Sequence, residues 1–200
     1  MDRVPVSHPM TDDAALIERV QGGELAAFDQ LVLRHQQVVF AVALRMLGNQ
    51  HEAQDVAQEA FVRAYQGIGA FRREAKLSTW LVSITMNLCR NRRRWWARRK
   101  QLIAGSLDDP GDTEEDAIGR EAADPSPGPS QMAQRHEQHQ QVLAALQQLD
   151  QAHRSIVILR DLQGYAYEEI AQMLGCQVGT VKSRLNRARL QLRALLDGTL

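Results

Sequence analysis

Aromatic residues make up only 5% of this 200-residue chain, and its two cysteines, Cys89 and Cys176, show no CxxC spacing. That scarcity gives little support to a disulfide framework or a structural zinc site, so both thiols read as small, partly buried core residues. No run of about 18 apolar residues is available to span a membrane, and the opening MDRVPVSHPMTDD lacks the apolar segment of a secretory signal. A cytoplasmic chain without membrane insertion is expected. A nucleophile-base pair, metal-ligand spacing and a phosphate-cradling glycine-rich loop are missing as well, so no enzyme, metal or other cofactor is expected. What is present, 44% hydrophobic and 24% charged residues, suffices for one or two soluble domains with real cores.

The formal net charge is zero, but it conceals a division. Residues 106–130 hold eight acids, from Asp108 to Asp124, against Arg120, a net of −7, and the remainder therefore carries +7. Pro110, Pro125, Pro127 and Pro129 fall in the same stretch, which shows no apolar period. These features predict a flexible acidic linker over 101–133, between helical modules at 11–100 and 134–197. Neither module shows strand alternation or an internal repeat, so the expected class is all-α, two small helical domains.

In the first module, Asp12 or Asp13 is placed to cap a short helix that ends at Gly22-Gly23. A second helix, about 24–47, repeats Phe28, Leu31, Val32, His35, Val38 and Val39 at helical spacing. A third starts behind Asn49, with Glu52 three residues on, and its apolar stripe is Val56, Ala60, Phe61, Ala64 and Tyr65. Ser78 is the expected cap of the fourth. Along that helix Leu81, Ile84, Leu88 and Trp95 fall in one arc, and Asn87, Asn91, Arg94 and Arg98 in another about a quarter-turn away. This gives Trp95 a core position and leaves Trp96 exposed; spacing does not place Trp80. The helix runs out in NRRRWWARRK, residues 91–100, with six cations. Such a run suits nucleic-acid phosphates, and the arginines beyond residue 97 leave no wide apolar face for a membrane surface.

In the second module a helix over about 134–149 is followed by Asp150 as a cap, by QAHRSIVILRDLQ, and by Gly164 as a stop. Two further helices are then broken by a short turn at Gly175-Cys176-Gln177, the layout of a helix-turn-helix reader. Val181, Leu185, Ala188 and Leu192 form the inward stripe of the second helix and leave Lys182, Ser183, Asn186 and Arg187 outward, where they can bond base edges or phosphates. Gly179 and Thr180 open that helix, where backbone N–H groups can hold a phosphate oxygen.

Taken in order, EAQDVAQEAFVRAY, FRREAKLSTWLVSITMNLCRNRRR and YEEIAQMLGCQVGTVKSRLNRAR resemble the extracytoplasmic-function sigma factors of bacterial RNA polymerase, which consist of sigma domains 2 and 4. The resemblance implies promoter-specific initiation, with core RNA polymerase (β′ clamp helices and β flap), promoter DNA and an anti-sigma protein as partners. It implies that Asp55, Gln58, Glu59 and Phe61 contact the clamp helices, although Phe61 suits the core equally. It implies that Asn87 and Asn91 read the −10 strand, with Phe71, Arg72 and Arg73 in the loop that holds an extruded base and Arg94 and Arg98 on the phosphates. Gly179, Thr180, Lys182, Ser183, Asn186 and Arg187 would read the −35 duplex. Many family members have Asp in place of Asn91, which leaves the base preference there open. Ala166 stands where a Ser or Thr cap is usual, an expected loss of about 0.5 to 2 kcal/mol.

Promoter elements about 25 base pairs apart place the two readers about 85 Å apart along straight DNA. A relaxed 25-residue coil spans only about 25 to 30 Å, so the polymerase must hold the modules apart. In the free chain the acidic segment is expected to fold back on the basic faces.

Overall fold

The computed structural model describes residues 10–104 and 129–198, and helices account for nearly all of them. The first helix, α1 (Met10–Gln21), buries Leu16, Ile17 and Val20 and stops at Gly22 and Gly23, as expected. Its start differs: Asp13 lies inside the helix, and its carboxylate meets His35 at 2.9 Å and Arg34 at 3.3 Å rather than capping. The central helix α2 (Leu25–Leu47) ends where Gly48 adopts φ 76° and returns its N–H to the Leu44 carbonyl. A left-handed residue at that place lets the chain reverse without a Cβ penalty. Asn49 then caps α3 (Gln50–Gly67), its Oδ1 accepting the Glu52 N–H at 2.9 Å.

A short 3₁₀ turn, Ile68–Ala70, leads into the loop before α4 (Leu77–Ala104), which starts one residue ahead of the expected cap, Ser78. Helices α1, α3 and α4 all pack on α2. The expected apolar positions close this core, with Phe28, Leu31, His35, Val39, Val56, Ala60, Ala64, Leu81 and Leu88 buried. Tyr65 departs from its stripe: it is 48% exposed and meets Phe28 edge-on at 5.0 Å.

In the second module α5 (Pro129–Gln148) begins ahead of the expected start near residue 134, and proline suits a first helical position because it lacks the N–H left unbonded there. Both α4 and α5 thus enter the ends of the segment read as a linker; residues 105–128 lie outside the described residues, and so does any fold-back of the acids among them. Asp150 caps α6 (Gln151–Val157) by accepting the His153 N–H at 2.9 Å. A π turn at Ile158–Leu162 then widens the helix before Gly164. Helices α7 (Tyr167–Leu174) and α8 (Val178–Asp197) complete the module, with α6 packed along α8.

The two modules touch. Arg154 of α6 is fully buried; its guanidinium donates to the Met46 carbonyl at the end of α2 (2.6 Å), to the Leu149 carbonyl (3.0 Å), and to the backbone and side-chain oxygens of Gln147. No acid pairs with it among the described residues. Its counter-charge comes instead from the carbonyl ends of α2 and α5, where helix dipoles are negative. Gln147 completes the seat by donating to the Arg45 carbonyl at 3.0 Å.

Candidate nucleic-acid interface

Residues 71–76 form a loop that α1 holds in place. Gln21 donates from Nε2 to the carbonyls of Ile68 (2.8 Å) and Phe71 (3.3 Å). Arg73, at φ 59° in the left-handed region, pairs with Glu18 at 2.7 Å and donates to Gln21 Oε1 at 3.4 Å. A non-glycine residue costs energy in that conformation, and these two bonds offset it. Phe71 stacks on Trp80 at 4.8 Å and 26° between planes, which gives Trp80 its place. Beneath the loop lies a cavity of about 300 Å³, lined by Asp13, Ile17, His35, Phe71, Arg73 and Ser78 among others. Arg72 points to solvent.

Beginning nine residues beyond Ser78, which lines this cavity, α4 presents its outward stripe. Asn87, Asn91, Arg94 and Arg98 are all exposed. The Asn91 amide oxygen accepts Arg94 at 2.8 Å and that of Asn87 accepts Arg90, so each amide plane is held by an arginine one turn on. The basic run divides by function. Arg92 pairs inward with Glu52 (3.0 Å) and Asp55 (3.9 Å), fastening α4 to α3. Arg93 reaches the Met46 carbonyl at 3.3 Å, and burial lowers its pKa. Arg94, Arg98 and Arg99 stay in water.

Trp95 is not in the core. It is 45% exposed, beside Trp96 at 47%, with the rings edge-on at 5.0 Å and Arg99 lying 5.1 Å over Trp95. The reason is length. Arg93 is level with Met46, the last full turn of α2, so α4 overshoots that partner from there on and, among the described residues, α2 offers nothing to cover Trp95.

On α3, Asp55 and Gln58 are exposed and Glu59 is half-buried, held by Arg63 at 2.6 Å. Phe61 packs against the core, away from that face, while Val62 continues it at 55% exposure. In the second module Val181, Leu185 and Ala188 are buried and Leu192 partly so, whereas Lys182, Ser183, Asn186 and Arg187 are exposed. Gly179 is exposed and Thr180 half-buried, its carbonyl accepting the Ser183 hydroxyl at 3.1 Å. The Lys182 ammonium rests 5.5 Å over the Tyr167 ring. Arg189 clamps α8 to the π turn through Asp161 at 3.0 Å. At the uncapped start of α7, Glu169 reaches back to the Ala166 N–H at 2.8 Å, so half of a capping box survives the loss of a hydroxyl.

A Sigma-70 region 2 family model matches residues 31–100, and a Sigma-70, region 4 model matches residues 139–192. The chain is 39% identical over 182 residues to the RNA polymerase sigma-H factor of Pseudomonas aeruginosa, covering 88% of this chain and 90% of that protein. This chain is an extracytoplasmic-function sigma factor of the sigma-70 family. The ECF RNA polymerase sigma-E factor of Escherichia coli is 35% identical over 190 residues, covering 92% of this chain and 93% of its own length. Among solved structures, the sigma factor RpoE bound to the anti-sigma factor NepR from Bartonella quintana is similar at TM-score 0.65 and 26% identity, over 85% of this chain and 96% of that one. CnrH in complex with the cytosolic domain of CnrY is similar at TM-score 0.63 and 27% identity, over 94% of this chain and 98% of the other.

Within this sigma factor the structure gathers Phe71 and Arg73 around one cavity and sets Asn87, Asn91, Arg94 and Arg98 along one helix edge, with the α8 residues on a separate face. Sequence reasoning missed Glu18 and Gln21, which hold the loop from outside the region 2 match, the pairing of Asp13 with His35, and the junction of Arg93, Gln147 and Arg154. Only the anomaly of an arginine directly before the apolar stretch SIVIL, residues 155–159, could have pointed to the junction.

Proposed function

We propose that this sigma factor divides promoter recognition between its modules, 11–100 and 134–197, with 101–133 as the tether. The polar edge of α4 reads and holds the −10 strand: Asn87 and Asn91 face base edges, Arg94 and Arg98 grip phosphates, and the cavity under Phe71, Arg72 and Arg73 takes an extruded base. Unstacking costs a few kcal/mol, and a pocket already formed offsets part of that. Gly179, Thr180, Lys182, Ser183, Asn186 and Arg187 read −35 duplex DNA from the major groove. Asp55, Gln58 and Glu59 offer an acidic, partly apolar face to the β′ clamp helices of the polymerase, with Phe61 shaping that face from beneath, and the second module meets the β flap. Catalysis belongs to the polymerase, and the chain works in the cytoplasm without a cofactor. The anti-sigma partner of the Bartonella RpoE relative supports a protein of that class as regulator here.

The observation that carries this reading is the coincidence, on both α4 and α8, of an apolar stripe buried in its own module with an exposed row of amides, hydroxyls and cations. Run-off transcription with purified core polymerase on a pool of promoter fragments tests it. Core-dependent transcripts are expected, and Asn87→Ala with Asn91→Ala should reduce opening while Lys182→Ala with Arg187→Ala reduces duplex binding. Tight duplex binding without polymerase, together with no transcript, would refute it.

A further inference from the structure

We propose that the exposed tip of α4 is a further DNA-holding face: Trp95, with Arg98 and Arg99, grips the backbone of duplex DNA between the −10 and −35 elements, about half a helical turn upstream of the bases that face Asn87. The inference deepens the promoter-reading assignment and rests on it.

The cations of this run are not alike. Arg92 pairs with Glu52 and Arg93 with the Met46 carbonyl, so both belong to the fold. Among the described residues no carboxylate meets Arg94, Arg98 or Arg99; Arg94 donates to the Asn91 amide and Arg98 to the Arg94 carbonyl, both within α4. Arg99 lies over the Trp95 ring, and Trp96 meets that ring edge-on. Two neighbours therefore restrict an indole that stands in water, so little side-chain freedom remains to be lost on binding. An indole offers a flat apolar body to a sugar edge and an N–H to a phosphate oxygen, while guanidinium forks suit phosphate. Aromatic area bordered by unpaired cations fits an anionic polymer.

Helix geometry sets where that polymer is met. At 100° per residue Trp95 and Arg99 stand about 70 to 110° round from the stripe of Asn87, Asn91, Arg94 and Arg98. A helix about 10 to 12 Å across, laid against a groove about 12 Å wide, touches backbone on its flanks as well as along its leading edge. A rise of about 1.5 Å per residue puts Arg99 about 18 Å beyond Asn87, the length of about five base pairs. The direction follows from the chain. Helix α4 begins at the loop cavity and ends where the tether to the −35 module starts, so its tip points from the −10 element toward the −35 element. DNA there is paired, which leaves the backbone as the target and makes the contact independent of sequence.

The test uses holoenzyme, core polymerase with the full chain, and two dye-labelled fork templates that share one −10 strand. In the short fork the duplex stops just upstream of the bases facing Asn87; the long fork adds about ten base pairs of arbitrary sequence and no −35 element. Trp95→Ala with Arg99→Ala should bind the short fork within about twofold of the parent and the long fork about tenfold more weakly, whatever sequence is added. Arg99→Ala alone should reduce the salt slope on the long fork by about 0.9 and leave it unchanged on the short one. Both side chains are exposed, so neither change opens the core. An equal loss on both forks, parental affinity for the long fork, or weakened binding of the double variant to core polymerase would each overturn the proposal, the last by making the tip a protein contact. A parent holoenzyme that binds neither fork would instead overturn the promoter-reading assignment.

Discussion

Replacing Arg154 by methionine asks how much a buried cation contributes when helix ends supply its counter-charge. The side chain is fully buried and satisfies three backbone carbonyls, those of Met46, Gln147 and Leu149, besides the Gln147 amide. Methionine fills similar space with no donor. Each orphaned buried acceptor costs about 1 to 3 kcal/mol, while removing a desolvated charge returns part of the loss. A net destabilisation of about 3 kcal/mol is expected, near the low end of that sum. For a module of this size each kcal/mol shifts the midpoint by about 4 to 8 °C, so the transition should fall by at least about 12 °C. Arg154→Lys should lie between, because one ammonium cannot fork toward two helix ends. Urea and thermal unfolding followed by circular dichroism would measure this. An Arg154→Met variant within about 0.5 kcal/mol of the parent would refute the claim that the carbonyls depend on this guanidinium.

Three other outcomes are expected. Cys89 is fully buried and its thiol is pushed up to about 12, whereas Cys176 is partly exposed; a disulfide reagent at neutral pH should therefore titrate one thiol in the native chain and two in denaturant. Burial first, and the charge of Glu169 second, raise the Tyr165 phenol from 10 to about 12, so its contribution is complete below pH 10 and lost as pH climbs through 12; ultraviolet titration should show one late tyrosine that Tyr165→Phe removes. Ala166→Ser should complete the capping box with Glu169 and stabilise the second module by about 1 kcal/mol, seen as a raised urea midpoint.

Helix caps were readable because they are local: Asn49 and Asp150 each need only a side chain and an N–H three residues away. The faces of α8 were readable for the same reason, since a 3.6-residue period states which side chains share a direction. Periodicity says nothing about what lies opposite. Trp95 shares an arc with Leu81 and Leu88, but α2 has ended by then, and the ring stays in water. Asp13 was expected to bond its own helix start and instead found His35, 22 residues on. The loop before α4 depends on Glu18 and Gln21, about 50 residues away, and the junction at Met46 on Arg154, 108 residues away. No local pattern encodes such partners, which exist only once the helices have packed.

All three tryptophans stand on α4, and they occupy opposite conditions: Trp80 lies flat on Phe71, while Trp95 and Trp96 protrude into water beyond the bundle. Ultraviolet emission from the unlabelled chain therefore carries a shifted, solvent-quenched signal from the helix tip and a shielded one from its root. Iodide should extinguish the first and spare the second. A strand laid along the arginine-rich tip would dim the long-wavelength component alone, whereas displacement of the loop would unmask Trp80, so one dye-free spectrum separates contact from rearrangement.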